Sequence, residues 1–460
     1  MSNETNIVTR ETSLDNMDVE LKSVIIDDEV YYQISNNDVM RPFFMSIVSD
    51  SNHWMFISSN GGLTAGRKNS EYALFPYYTD DKITESADIT GNKSIFKVSK
   101  DNQEFMWEPL AVRSLGSYST TQNLYKNKYG NKIIFEEINH DLELIFRYQW
   151  SSSNTFGFIK KSKLINTSDS AVKVSLLDGI QNIMPASIGS DEQNQSSNLV
   201  DAYKRNELEE KTGLGIFALS AILVDKAEAS EALKANVVWS LGLDNPKYLL
   251  SSLQLNDFRL GKSINQEIDV KAEKGAYFLN SEIILEKESS KEWMIIANVN
   301  QNHSSIAKLS KQIQEESSLI EIINDDINIG TRRLVDLNSA SDAIQITSDN
   351  LKDTRHFANT LFNIMRGGIF DNNYQIEKWD FKNYLSKANK KVFRTTEDSV
   401  AKLPEVFSIN NCRNGIISFC EFQWGMYPFV LNPFEFPTVN LSSIFLYIIN
   451  FLLCLGSPEK

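Results

Sequence analysis

The chain has very little cysteine: only Cys412, Cys420 and Cys454 occur in 460 residues, all within the last 49. The first 411 residues therefore hold no disulfide framework and no cysteine-based zinc site. This usage is compatible with a reducing compartment, and the expectation is a cytoplasmic protein. Concentrated positive charge is missing too. The net charge is −14, the pI is near 5.0, and no Lys/Arg run exceeds two residues. Such a surface is unsuited to neutralising phosphates, so a nucleic-acid partner is excluded. The N-terminus, "MSNETNIVTRETSLDNMDVELK", is polar and acidic and lacks the charged-then-apolar order of a secretory signal. Histidine is scarce, with only His53, His140, His303 and His356, and no two have the H-x-x-x-H spacing of metal ligands. No metal and no cofactor are expected. No G-x-S-x-G or other nucleophile motif occurs.

Long apolar runs are absent except at the very end. Ile444 to Leu455 is 12 residues long, short of the roughly 20 that a spanning helix needs. A membrane role is therefore disfavoured. Residues 409–460 hold only five charged residues and four of the ten prolines. This tail, taken from residue 396, is read as foreign to the ancestral fold, the product of a frameshift or rearrangement. A short membrane anchor and a buried or aggregation-prone segment are the alternatives.

What is present is a long series of short β-type runs separated by turn clusters. After a flexible segment of residues 1–20, "PFFMSIVS" and "HWMFISS" flank Asp50-Ser51-Asn52, and "KIIFEEIN" and "LELIFRYQW" flank His140-Asp141. Ten or more such runs between residues 21 and 300 predict a mainly β fold, a large antiparallel sandwich, because open sheets of that size split into two packed layers. The period then changes. Ile306, Leu309, Ile313 and Ile320 recur at helical intervals, and "SDNLKDTRHFANTLFNIMRGG" offers Ser348 or Asp349 as a cap, so residues 301–395 are expected to be a helical linker.

The loop from Ser58 to Asp81, "SSNGGLTAGRKNSEYALFPYYTDD", poses the functional question. Its Gly61 and Gly66 approach P-loop spacing, but Arg67 and Lys68 stand where a P-loop has Lys and a hydroxyl residue, and Pro76 lies in an aromatic, β-prone run. Nucleotide binding is thereby disfavoured. Two readings stay open: a turn-rich sandwich edge, with glycines permitting positive φ, or part of a sugar site. Aromatic faces stack on sugar rings while planar polar groups take hydroxyls, so Asn60, Arg67, Tyr72, Tyr77, Tyr78, Asp80 and Asp81 are the candidate substrate-binding residues. The adjacent pairs Glu136-Glu137 and Asp80-Asp81 form no acid/base dyad, since neighbours on a strand face opposite ways. "RNELEEK", Arg205 to Lys211, reads as a solvated loop or short helix.

This loop, together with "LDGIQNIMP" (Leu177 to Pro185), "NLVDAYKRNEL" (Asn198 to Leu208) and "RHFANTLFNIMRGGIF" (Arg355 to Phe370), resembles the N-terminal region of cellobiose phosphorylase-like proteins. The resemblance runs from about residue 20 to 400. It implies a galactose-mutarotase-like β-supersandwich, then linker helices, then an (α/α)6 barrel carrying the general acid, with inorganic phosphate or water attacking the glycosidic bond. Little sequence remains after Phe393 for such a barrel, so the catalytic carboxylate has no position here and the catalytic residues are unknown. The chain is accordingly expected to bind an oligo- or disaccharide without turning it over, with inorganic phosphate a co-substrate only of a full enzyme. Uncovered linker helices would need a partner, a second copy of the chain or a separate barrel chain. A standalone sugar mutarotase, using a histidine and a carboxylate, and a membrane-tethered interaction protein are the alternatives.

Overall fold

The computed structural model describes residues 18–78, 80–100, 103–114, 116–195, 197–221, 232–365, 375–388 and 390–408. The apolar tail from residue 409, its three cysteines, and the first 17 residues lie outside this set.

Hairpin pairing between consecutive apolar runs builds an 11-stranded sheet in which all pairs are antiparallel. Its order is β1 (Leu21–Ile26), β2 (Glu29–Ser35), β9 (Thr120–Asn127), β10 (Ile133–Asn139), β11 (Leu144–Ser153), β12 (Gly157–Asn166), β20 (Ser290–Asn302), β16 (Lys234–Leu241), β15 (Leu214–Leu219), β14 (Lys204–Glu209) and β18 (Asp269–Lys271). A five-stranded sheet runs β17 (Lys247–Leu249), β19 (Gly275–Leu285), β13 (Val172–Ile183), β7 (Gly91–Lys100) and β8 (Gln103–Trp107). A four-stranded meander follows chain order: β3 (Phe44–Ile47), β4 (His53–Ser58), β5 (Leu63–Arg67) and β6 (Ala73–Phe75). Four short helices lie in connections: α1 (Asp80–Glu85), α2 (Ser190–Gln195), α3 (Ser197–Tyr203) and α4 (Leu255–Arg259). The fold is mainly β, with large antiparallel sheets and a helical C-terminal part.

The two larger sheets pack face to face. Phe96 of β7 meets Phe146 of β11 edge-on at 5.0 Å, and Phe146 stacks on Trp293 of β20 at 6.4 Å. All three are fully buried, each worth roughly 1.5–3 kcal/mol of burial. Close approach is enforced at Gly157, whose φ of +95° and whose missing Cβ, which would sit 2.3 Å from the Ala297 carbonyl oxygen, exclude any other residue. Between the sheets lies an ion pair, Lys160 with Asp178 at 2.6 Å, both side chains fully buried. Asp178 also accepts from Ser94 Oγ (2.6 Å), Ser162 Oγ (3.0 Å) and Trp293 Nε1 (2.7 Å). Burial lowers the Lys160 pKa while the Asp178 charge opposes that fall. The pair survives burial because its hydrogen-bonding capacity is filled.

The other face of the large sheet is covered by helices. Ile159, Val237, Trp239, Met294 and Ile296 cluster with Leu319, Ile323 and Ile327 of α6 (Leu319–Ser339) and with Ile306, Leu309 and Ile313 of α5 (His303–Glu315). Helix α5 is capped by Asn302, whose Oδ1 accepts from Ser305 N at 2.9 Å.

The chain divides into two compact units, Met1–Gly330 and Thr331–Lys460. In the second, Asp349 caps α7 (Asn350–Met365) by accepting from Leu351 N and Lys352 N at 3.1 Å. Beyond it, β21 (Gln375–Glu377) pairs with β22 (Val406–Ser408) around α8 (Lys378–Ala388) and α9 (Lys390–Ala401). These elements share a small core of Ile376, Phe381, Leu385, Val400 and Phe407. Regular structure thus crosses residue 396, where the tail was taken to begin. "RNEL" differs from its reading as loop or helix: Arg205 to Leu208 lie in β14, with Lys204, Asn206 and Leu208 buried in alternation. Among the described residues no helix is long and apolar enough to cross a membrane.

Candidate functional site

The loop from Ser58 to Asp81 is built as strand, not phosphate cradle. Gly66 lies within β5, antiparallel to β4, and the next element is a single 3-10 turn, Ser70–Tyr72. No α-helix starts directly after Gly66 to receive a phosphate. Where the loop turns between β4 and β5, Gly61 adopts φ +90°, and a Cβ there would lie 3.1 Å from the Tyr148 hydroxyl. The bare backbone at Gly61 therefore lets the chain pass beside Tyr148.

At this point a cavity of about 250 Å³ opens. Its walls come from distant parts of the sequence: Asn37 and Asp38 before β3, Ser59 to Gly61, Asp88, Asn92 to Ser94 at the start of β7, the Pro109–Val112 segment, Gln122, Phe135 and Tyr148. Phe135 and Tyr148 are cross-strand neighbours on β10 and β11, and their rings stack at 4.9 Å with 8° between planes. Tyr148 is only 2% exposed. Its hydroxyl makes no hydrogen bond to any described residue, while burial, with the Asp178 charge behind it, pushes its pKa far up. Asn37 is similarly buried; its Nδ2 donates to the Ser59 carbonyl at 3.4 Å, but its Oδ1 has no partner. Asp38, exposed at the mouth, has no cation within ion-pair distance among the described residues, and partial burial of its carboxyl raises its pKa.

The charges along the opposite wall are internally matched. Buried Lys93 donates to Asp88 and, at 3.1 Å, to Glu108. Arg113 pairs with Asp88 at 2.8 Å, and Arg259 clasps Glu108 with two bonds of 2.9 Å. Burial alone would raise both carboxyls. For Asp88 the bonds and charges of Lys93 and Arg113 outweigh it, and for Glu108 those of Arg259 and Lys93, so both pKa values fall below the usual range. Glu137 sits behind the cavity, accepting from Trp107 Nε1 (2.7 Å), Leu110 N (2.7 Å) and Gln122 Nε2 (3.0 Å). Burial raises its pKa against these bonds. Its neighbour Glu136 faces the other side of the sheet, toward Asn123, Tyr125 and Arg147, as expected for adjacent strand residues.

Of the seven residues singled out from sequence, the structure places one, Asn60, at the cavity. Asn60 Nδ2 donates to the Thr84 carbonyl at 3.0 Å. Arg67 is a fastener instead: it bonds Asn52 Oδ1 (2.7 Å), the Asn154 carbonyl (3.2 Å) and Asn298 Oδ1 (3.4 Å). Tyr72 lies under the Lys68 ammonium at 5.6 Å, and Tyr77 packs edge-on to Trp54 at 5.5 Å. Tyr78 is partly buried, which raises its pKa against a bond to Asn182. Asp80 and Asp81 open α1, and their side chains lie outside the described residues. None of the four histidines lines the cavity. His53, expected in a turn, begins β4; its Nδ1 is 2.8 Å from Ser51 Oγ and its Nε2 is buried without a partner. Among the described residues no group of His, Cys, Asp and Glu is arranged to hold a metal. The sequence reading missed Asn37, Asp38 and Tyr148; the turn-forming run Asn36-Asn37-Asp38 was the only local signal, and Tyr148 looked like any core aromatic.

Residues 370–417 match the model of glycoside hydrolase family 149 insertion domain 1. No curated protein matches the chain. Among solved structures, a bacterial glucoamylase complexed with acarbose aligns at 11% identity and TM-score 0.39, over 86% of this chain and 54% of that one. A putative kojibiose phosphorylase from the human microbiome aligns at 12% identity and TM-score 0.39, over 75% and 42%. A polysaccharide lyase aligns at 11% and 0.32, over 58% and 34%. The chain thus spans about a third to a half of the length of these proteins. The insertion-domain match covers a stretch largely separate from those that carry the cellobiose phosphorylase-like resemblance, and both make the chain similar to glycoside hydrolases and phosphorylases.

Proposed function

We propose that the cavity beside Gly61 binds a saccharide, and that the chain is the carbohydrate-binding, non-catalytic part of a cellobiose phosphorylase-like enzyme. The supporting observation is the pair of unspent polar groups at one cavity: the buried Asn37 Oδ1, and the hydroxyl of Tyr148, which bonds no described residue. Leaving a buried polar group unpaired costs about 1–3 kcal/mol, which a ligand supplying the missing bond returns. Sugar hydroxyls both donate and accept, so one ring can meet both needs. The volume, about 250 Å³, falls below the roughly 300–1,000 Å³ of drug-sized pockets and suits one ring rather than a long chain. The non-catalytic part of the reading is supported by the ties on the wall carboxylates: Asp88 and Glu108 are held by cations and Glu137 by three donors.

The test is a titration of the chain with cellobiose, laminaribiose and maltose, followed by NMR, alongside an assay for sugar release with and without inorganic phosphate. Binding that weakens in Tyr148→Phe, with no release, is the expected result. Absence of binding by all three sugars overturns the saccharide site, and release of product overturns the non-catalytic assignment.

A further inference from the structure

Resting on that reading, we infer that the cavity selects its sugar by charge, with Asp38 as the specificity-determining residue: it takes uncharged or amino-bearing rings and rejects uronate, sulfated and phosphorylated ones. The argument starts from what each charged group already does. Along the wall, Lys93, Arg113 and Arg259 are each paired with Asp88 or Glu108, and Arg259 also donates to Asn256 Oδ1. An anionic substituent would have to compete with those carboxylates for each of the three cations. Of the two aspartates that line the cavity, Asp88 is held by Lys93 and Arg113, whereas Asp38 has no ion-pair partner among the described residues. Beside the mouth, the Asp38 carboxylate has no cation partner among the described residues, and Oδ1 of the adjacent Asn37 has no hydrogen-bond partner. Both are acceptors, and a buried or half-buried acceptor is satisfied by a hydroxyl or an ammonium but not by a second anion. Bringing a carboxylate up to Asp38 would also expose it to like-charge repulsion, partly screened at the open mouth.

The experiment uses three methyl glycosides that differ in charge and keep one ring: methyl glucoside, methyl glucosaminide as its ammonium, and methyl glucuronide, titrated near neutral pH into the whole chain and into Asp38→Asn. In the wild-type chain the glucuronide is expected to bind about fivefold more weakly than the glucoside, an exposed charge–charge effect, and the glucosaminide at least as tightly as the glucoside. In Asp38→Asn the three affinities should converge to within about twofold, since the charge is gone and the amide still accepts. A glucuronide that binds as well as the glucoside in the wild type overturns the inference, as does an order that Asp38→Asn leaves unchanged. Those results leave the saccharide site standing, whereas no binding by any of the three removes it. Because Asp38 is exposed, unfolding curves of the variant should superimpose on the wild type.

Discussion

Two neighbouring polar clusters meet at Ser94 of β7 and teach opposite lessons. Between the sheets, Lys160 and Asp178 are fully buried, and Asp178 accepts bonds from Lys160, Ser94, Ser162 and Trp293. At the cavity, Tyr148 and Asn37 are buried too, yet the hydroxyl and Oδ1 are unspent. Ser94 belongs to both, lining the cavity while donating to Asp178. Where every donor and acceptor is matched inside the protein, the cluster serves the fold. Where capacity is left over next to open space, it is available to a ligand.

The comparison breaks most visibly at Lys160. Lys160→Met should cost about 3–5 kcal/mol in chemical denaturation, because it leaves Asp178 charged and buried without its cation; an unchanged midpoint would show that the pair carries no such weight. An effect of intermediate size belongs to His53, whose pKa burial lowers to about 3, with the Arg67 charge adding to the fall. A depressed pKa means the fold prefers neutral imidazole, so this stabilisation is present above the ordinary value of 6.5 and is lost as pH falls from there toward 3. Between pH 7 and pH 5 the wild-type chain should lose about 2 kcal/mol from this group, and His53→Gln should remove that loss. Equal pH slopes in the two proteins would refute it.

Arg67 sharpens the contrast from the other side. Arg67→Ala removes bonds among β5, Asn154 and Asn298 and is expected to cost about 1.5–3 kcal/mol of stability in total, with cellobiose affinity unmoved; weakened binding at equal stability would return Arg67 to the site. The smallest effect is the most telling. Tyr148→Phe should change stability by less than about 0.5 kcal/mol, since no bond is lost, while weakening sugar binding by about 1 kcal/mol, or fivefold. A large stability loss would reveal a partner for the hydroxyl.

Much of the fold was legible because its signals are local. The hairpin around Asp50 to Asn52, the Asp349 cap and the opposite facing of Glu136 and Glu137 each follow from a few neighbouring residues. β14 was misread because its exposed positions are charged and mask the period of two carried by Lys204, Asn206 and Leu208. The site was legible only at Asn60. Arg67, Tyr72 and Tyr77 had suitable chemistry, but β5 and the segments that flank β6 place them against Asn154, Lys68 and Trp54.

The sequence by itself determined the β-to-helix order, the turn positions and the carbohydrate-active resemblance, since periodicity, capping and motif spacing are properties of contiguous residues. Only the tertiary structure decided which polar groups are spent. Asp178 meets Ser94 across 84 residues and Trp293 across 115, and Tyr148 meets the bare backbone of Gly61 from another sheet. Whether a donor finds an acceptor depends on how the sheets stack, so the unspent groups of Tyr148 and Asn37 come together only once they have.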